Sequence, residues 1–198
     1  MSDTKENAYI KQWNQWRDKS SCNNMPTYKD LPDIELYMDQ VIALMEKYWY
    51  TNEKWDDKKF VTPSMINNYV KLGIIEPPVK KKYSKDHIAK LIIICTLKRT
   101  LSISVIKNII SKLLDKMSIA ELYDTFIKDY SELLDSNLKI IDSHFLSEHE
   151  LRADCELEFA SYALKMAALS EVGRFLSEGI IDVYNAVDTE KASEKESK

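Results

Sequence analysis

The sequence predicts a mainly α-helical protein. Three glycines and five prolines in 198 residues are too few breakers for a turn-rich β fold. Apolar residues also recur at i, i+3, i+4 and i+7 through most of the chain, the mark of helices with one buried face. Hydrophobic residues make up 44% and charged residues 30%, the balance of a water-soluble globular protein with material for a core. The longest strongly apolar run, Leu91 to Leu97, is far shorter than a membrane span. Met1 to Asn7 is polar and leads into no apolar stretch, so no signal peptide is predicted. A cytoplasmic protein is therefore expected.

Tyr9, Trp13 and Trp16 stand at helical spacing in an otherwise polar start and predict a short docking helix. Asp18 to Asp30 reads as a linker. The first long helix is predicted from Asp33, as N-cap, to Tyr50, with Ile34, Tyr37, Met38, Val41, Ile42, Met45, Tyr48 and Trp49 on its apolar face. Thr51 to Lys59 is polar except for Trp55 and breaks the pattern.

The next helix has sharp ends. Thr62 is a good N-cap, Pro63 suits the first helical position, and Gly73 suits the left-handed residue past the end. Met65, Ile66, Tyr69 and Leu72 form its inner side. Ile74-Ile75 and Pro77-Pro78 cannot continue it and predict a short extended hairpin with Lys80 to Lys82 near its return. Ser84 caps a helix to about Arg99, with Ile88, Leu91, Ile92 and Cys95 on one face, and Ser102 caps another. The capping box Ser118-Ile119-Ala120-Glu121 opens a helix to about Leu134, and residues 135–147 read as a connection.

The last predicted helix is long. Cys155, Phe159, Tyr162, Met166, Leu169, Gly173, Leu176, Ile180, Val183 and Val187 follow each other at spacings of four and three, a heptad seam. Gly173 and Gly179 weaken it by roughly 1 kcal/mol each relative to alanine and allow a bend. From Asp188 the composition predicts a disordered tail.

The net charge is −4, but it is unevenly spread. Residues 62–112 hold ten basic and two acidic side chains, a local +8 that leaves −12 for the rest. One basic module in an acidic chain is the pattern of a single face that meets a polyanion.

Within that module Ser64, Asn67, Asn68 and Lys71 stand at i, i+3, i+4 and i+7 and form one polar stripe. Asparagine can make two hydrogen bonds to adenine in the major groove, while serine and lysine reach phosphates or base acceptors. Lys80-Lys81-Lys82-Tyr83 follows where a wing would lie along the nucleic-acid backbone, and the cations would give salt-dependent affinity. Helix, turn, capped helix ending in glycine, basic hairpin and two more capped helices is the layout of a winged helix-turn-helix.

Thr62-Pro63-Ser64-Met65-Ile66-Asn67-Asn68-Tyr69-Val70-Lys71-Leu72-Gly73-Ile74-Ile75 resembles the second helix of the mercury-resistance regulator (MerR) family. Tyr83 to Leu91 and Ser102 to Ile110 resemble the helices that follow it there. More closely, Leu31 to Val41, Met65 to Tyr69 and Pro77 to Tyr83 resemble an uncharacterised bacterial family, domain of unknown function 1836, with a MerR-like head. The resemblance implies a winged helix-turn-helix that binds double-stranded DNA. It departs from the MerR pattern at Ser64 and Asn67, where arginine is usual, which tilts the expected target toward A·T pairs. No cysteine cluster follows the head, so metal sensing is not implied.

These readings divide the chain into a polar N-terminal extension (1–30), a winged helix-turn-helix domain (31–115), a helical C-terminal bundle or dimerisation domain (116–187) and a tail (188–198). The expected function is that of a dimeric transcriptional regulator. Its expected DNA-binding residues are Thr62, Ser64, Asn67, Asn68, Lys71, Lys80, Lys81, Lys82, Tyr83 and Lys85. The alternative is a protein-interaction module built on a degenerate helix-turn-helix. No catalytic constellation, phosphate loop or cofactor motif appears: His144 and His149 are five residues apart and point away from each other on a helix, and Cys22, Cys95 and Cys155 are scattered. An enzyme, a metal site and a cofactor are therefore not expected.

Overall fold

The computed structural model describes residues 8–20, 25–49, 60–145 and 155–196. Its elements are α1 (Ala8–Ser20), β1 (Leu36–Tyr37), α2 (Met38–Trp49), α3 (Pro63–Lys71), β2 (Lys82–Tyr83), α4 (Lys85–Leu97), α5 (Ile103–Leu114), α6 (Ile119–Phe145) and α7 (Cys155–Glu196). The fold is mainly helical, and the described residues form one two-stranded antiparallel sheet that pairs Leu36 with Tyr83 and Tyr37 with Lys82. No helix among the described residues is long and apolar enough to cross a membrane. Thr51 to Lys59, Cys22 and His149 lie outside the described residues.

Helix α4 is the hub. His87 through Cys95 are all buried, so the helix is enclosed on every side rather than amphipathic. The sequence accounts for this: Ile93 and Ile94 extend the apolar face of Ile88, Leu91, Ile92 and Cys95 around the cylinder. Around α4 pack Val41 and Met45 of α2, Ile66 and Tyr69 of α3, Ile106 and Ile110 of α5, and Leu122, Tyr123 and Ile127 of α6, all in one core. Burial pushes the Cys95 thiol up to about 11, so it is an inert core residue.

The capping residues act as predicted. Thr62 Oγ1 accepts from the Met65 amide at 3.3 Å, and Ser102 Oγ from the Val105 amide at 3.3 Å. The box at Ser118 closes in both directions: the Ser118 amide donates to Glu121 at 2.9 Å and the Glu121 amide donates to Ser118 Oγ at 3.3 Å. Gly73 adopts φ +65°. Ile74 N–H donates to Tyr69 O at 3.0 Å and Gly73 N–H to Val70 O at 2.9 Å, the Schellman pair that satisfies the last carbonyls of a helix.

Several expectations are corrected. Helix α2 starts at Met38, not Asp33, because Leu36-Tyr37 is taken by the strand pair with Lys82-Tyr83. Gln40 Oε1 accepts from the Tyr37 amide at 2.9 Å, and Ile34 and Tyr37 are exposed rather than buried. Leu72 is also exposed, at the C-cap. Helix α6 does not stop near Leu134 but continues to Phe145 through the expected connection, because Ile141 and Phe145 still find apolar partners. Helix α7 passes through Gly173 and Gly179 as one helix and continues past Asp188 to Glu196, where composition predicts a tail. Lys112 Nζ meets Asp188 at 2.5 Å there. The expected extension and linker are partly structured too. Tyr28 packs on the core, its amide donates to Asp124 at 2.6 Å, and Tyr123 OH donates to Pro26 O at 2.9 Å.

Candidate nucleic-acid interface

Helix α3 is fixed at both ends and along one side. Thr62 caps its start, Lys107 Nζ donates to Leu72 O at 2.7 Å at its end, and Ile66 and Tyr69 are buried beneath it. Burial raises the Tyr69 hydroxyl to about 12. Ser64, Asn67, Asn68 and Lys71 are all exposed. The expected polar stripe therefore exists as a solvent-facing surface on a rigidly held helix.

The segment after α3 is tied down by a small polar cluster. Ile74 and Ile75 are buried. His87 Nε2 lies 3.1 Å from Glu76 O, and His87 Nδ1 lies 3.0 Å from the Ser84 amide and 2.8 Å from Ser84 Oγ. Because an amide can only donate, Nδ1 is the acceptor and the proton sits on Nε2, aimed at the Glu76 carbonyl. Lys90, also buried, donates to Glu76 Oε1 at 2.6 Å. Burial pushes the Glu76 carboxyl up, but the Lys90 hydrogen bond, its own backbone amide and the charge of Lys90 outweigh this and hold it below its ordinary value. His87, Glu76 and Lys90 are thus braces between α4 and the base of the hairpin. Sequence spacing gives no sign of this, because Glu76 and His87 meet only when the hairpin folds back.

The hairpin is a two-residue turn. Val79 N–H donates to Lys82 O at 3.1 Å and Lys82 N–H to Val79 O at 2.9 Å. Lys80 and Lys81 between them both have left-handed φ, +49° and +65°. This is a type I′ turn, which favours asparagine and glycine and is strained for lysine. A turn that keeps two lysines against this preference suggests a use for their charges. Changing Lys80→Asn together with Lys81→Gly is expected to stabilise the fold by about 1–2 kcal/mol. Thermal unfolding checks this, and unchanged or lower stability would show that the turn is not strained.

The structure sorts the basic residues into two groups. Lys85 meets Asp33 at 2.5 Å and Lys29 O at 3.2 Å. Lys98 donates to Phe60 O. Lys90, Lys107 and Lys112 hold Glu76, Leu72 O and Asp188. These five are committed to the fold. Lys71, Lys80 and Lys81 are exposed, with no ion pair among the described residues. Lys82 is half-buried, its Nζ lying 5.4 Å from the centre of the Tyr37 ring.

Two expected site residues are therefore reassigned. Tyr83 is 2% exposed and is a core residue against His87, because β2 turns it inward opposite Leu36. Lys85 is occupied by Asp33. One residue absent from the expected set joins the surface: Tyr37, half exposed beside Lys82. A two-residue strand has no period to read, and helical spacing had placed Tyr37 in the core of α2.

A model of the family described as Domain of unknown function (DUF1836) matches residues 26–126. The chain belongs to this family. No curated protein and no solved structure matches it. The DUF1836 segment begins at Pro26, whose carbonyl binds Tyr123, and ends at Phe126, after Leu122 and Tyr123 have entered the core. The DUF1836 unit and the core around α4 therefore coincide closely, and both run past residue 115, where the resemblance and the helix layout had ended the expected head.

Proposed function

We propose that the protein is a DNA-binding transcriptional regulator of the MerR-like winged-helix type that acts as a dimer on double-stranded DNA. One observation carries the reading. Within residues 62–112, the exposed Lys71, Lys80 and Lys81 hold no ion pair among the described residues, and they lie on an exposed polar helix face and on the tight turn that follows it. In this reading α3 enters the major groove. Asn67 and Asn68 face base edges, Ser64 and Lys71 face base acceptors or phosphates, and Thr62 positions the helix. The turn lies along the backbone, where Lys80, Lys81 and Lys82 meet phosphates, and Tyr37 holds Lys82 by its ring.

Helix α7 supports the dimer. Leu169, Leu176, Ile180, Val183 and Val187 are exposed along it at heptad spacing. Nothing lies within 4 Å of a side chain built at Gly173 or Gly179. Arg174 is neutralised on its own helix by Glu171 and by Glu178 at 2.6 Å, and no charged residue flanks the seam from Met166 to Val187. The seam thus suits an apolar occupant, and a second copy offers the same heptad rhythm. Such a pair would bring two heads to two half-sites.

Two measurements test the proposal. Fluorescence anisotropy against random and A·T-rich duplexes should show affinity that falls steeply with salt. Absence of binding at low salt would sink the regulator reading. Sedimentation equilibrium should show a dimer that Leu176→Glu with Ile180→Glu converts to monomer. A wild-type monomer would remove the dimer from the proposal.

A further inference from the structure

Among the described residues two polar side chains are buried, His87 and Lys90. They stand one turn apart on the same face of α4, in a run whose other buried members are Ile88, Ala89 and Leu91 to Cys95. Both reach one residue. His87 Nε2 donates to Glu76 O at 3.1 Å, and Lys90 Nζ donates to Glu76 Oε1 at 2.6 Å. Glu76 is therefore gripped by its backbone and by its side chain at once.

The grip is passed to the lysine turn through stiff chain. Pro77 and Pro78 separate Glu76 from Val79, and each proline ring fixes its own φ. Val79 and Lys82 then bond in both directions, at 3.1 and 2.9 Å. On the return leg Tyr83 is buried, and the Ser84 amide donates to His87 Nδ1 at 3.0 Å. One imidazole thus ties both legs of the hairpin at their base. Little backbone freedom is left between α4 and Lys80-Lys81.

Stability alone is poorly served by this arrangement. The Lys90 side chain is 8% exposed, whereas that of Glu76 is 62% exposed. Taking an ammonium out of water can cost more than its ion pair returns, and an apolar side chain of similar volume packs there without that cost. A buried ammonium does supply direction. It is also screened less by salt than a surface pair, so its hold on Glu76 persists at ionic strengths where exposed pairs fade.

We propose that Glu76, held by Lys90 and His87, is a positioning residue that sets the angle at which Lys80, Lys81 and Lys82 meet the phosphates of double-stranded DNA. The choice of ligand rests on the DNA-binding reading, whereas the fixing of the turn does not. Glu76 carries a negative charge close to the turn in the chain. Acting through charge alone it would repel DNA, so its removal would tighten binding. Acting by position, its removal weakens binding.

The test uses the full chain with Glu76→Gln and Lys90→Met combined, which removes one charge of each sign and leaves the net charge unchanged. Denaturant unfolding is expected to show stability equal to or above that of the wild type. Hydrogen exchange followed by NMR should be at least roughly tenfold faster at the Lys82 amide, with the Ile92 to Ile94 amides of α4 unchanged. Duplex affinity, read by anisotropy, should fall at least roughly tenfold. Glu76→Ala, which keeps Lys90, should also weaken DNA binding. Unchanged exchange at Lys82, an equal acceleration throughout α4, unchanged affinity in the double variant or tighter binding by Glu76→Ala would each overturn the proposal. A wild-type chain that binds no DNA, with Lys82 exchange still accelerated in the double variant, would sink the regulator reading and leave the fixing of the turn in place.

Discussion

Changing Lys80, Lys81 and Lys82 together to alanine is expected to lower duplex-DNA affinity roughly 100-fold at low salt and to flatten the salt dependence by about three contacts. The size of this effect follows from how the cations are used. The local +8 of residues 62–112 overstates what a polyanion can meet, because five of its ten basic side chains hold carboxylates or carbonyls of the fold. Removing three of the rest takes away most of the charge that α3 and the turn present. Thermal stability should change little, since alanine bears the same Cβ as lysine at the left-handed positions 80 and 81. Lys85→Ala is the matched control. It removes one positive charge from the start of α4, just past the hairpin, and should leave DNA affinity nearly unchanged, because its ammonium is already held by Asp33. Anisotropy titrations across salt concentrations measure both. Equal losses in the triple variant and in Lys85→Ala would mean that the field of the whole domain matters and the turn does not.

Tyr123→Ala is expected to destabilise the protein by about 3–5 kcal/mol, enough to unfold a marginal domain. Tyr123 is fully buried, and its burial raises the hydroxyl well above the usual phenol range. It sits edge-on to Tyr28 and donates to Pro26 O at 2.9 Å. Alanine would leave a cavity beside α4 and strand the Pro26 carbonyl. Tyr123→Phe keeps the ring and should cost only about 1 kcal/mol. Denaturant unfolding of both variants reads the difference. A small loss in Tyr123→Ala would mean that α6 is a separate layer and that the head is complete without it. The same logic predicts that a fragment spanning residues 26–126 folds better than one ending at residue 115.

Much of the helical fold was legible in the sequence because its signals are local. Thr62, Ser102, Ser118 with Glu121, and Gly73 each satisfy backbone groups within a few residues of themselves, so their roles survive any tertiary arrangement. The polar stripe at Ser64, Asn67, Asn68 and Lys71 follows from the period of one helix, and those side chains are exposed as the period requires. What the sequence could not decide depended on partners distant in the chain. Asp33 reads as a helix cap but binds Lys85, and Tyr37 reads as helix core but pairs beside Lys82 on a strand. Tyr83 reads as a backbone clamp but is sealed into the core. Lysine looks alike in sequence whether its ammonium meets water or a carbonyl. Only the folded chain, by bringing Glu76, Leu72, Phe60 and Asp188 to their lysines, decided which charges remain for a partner.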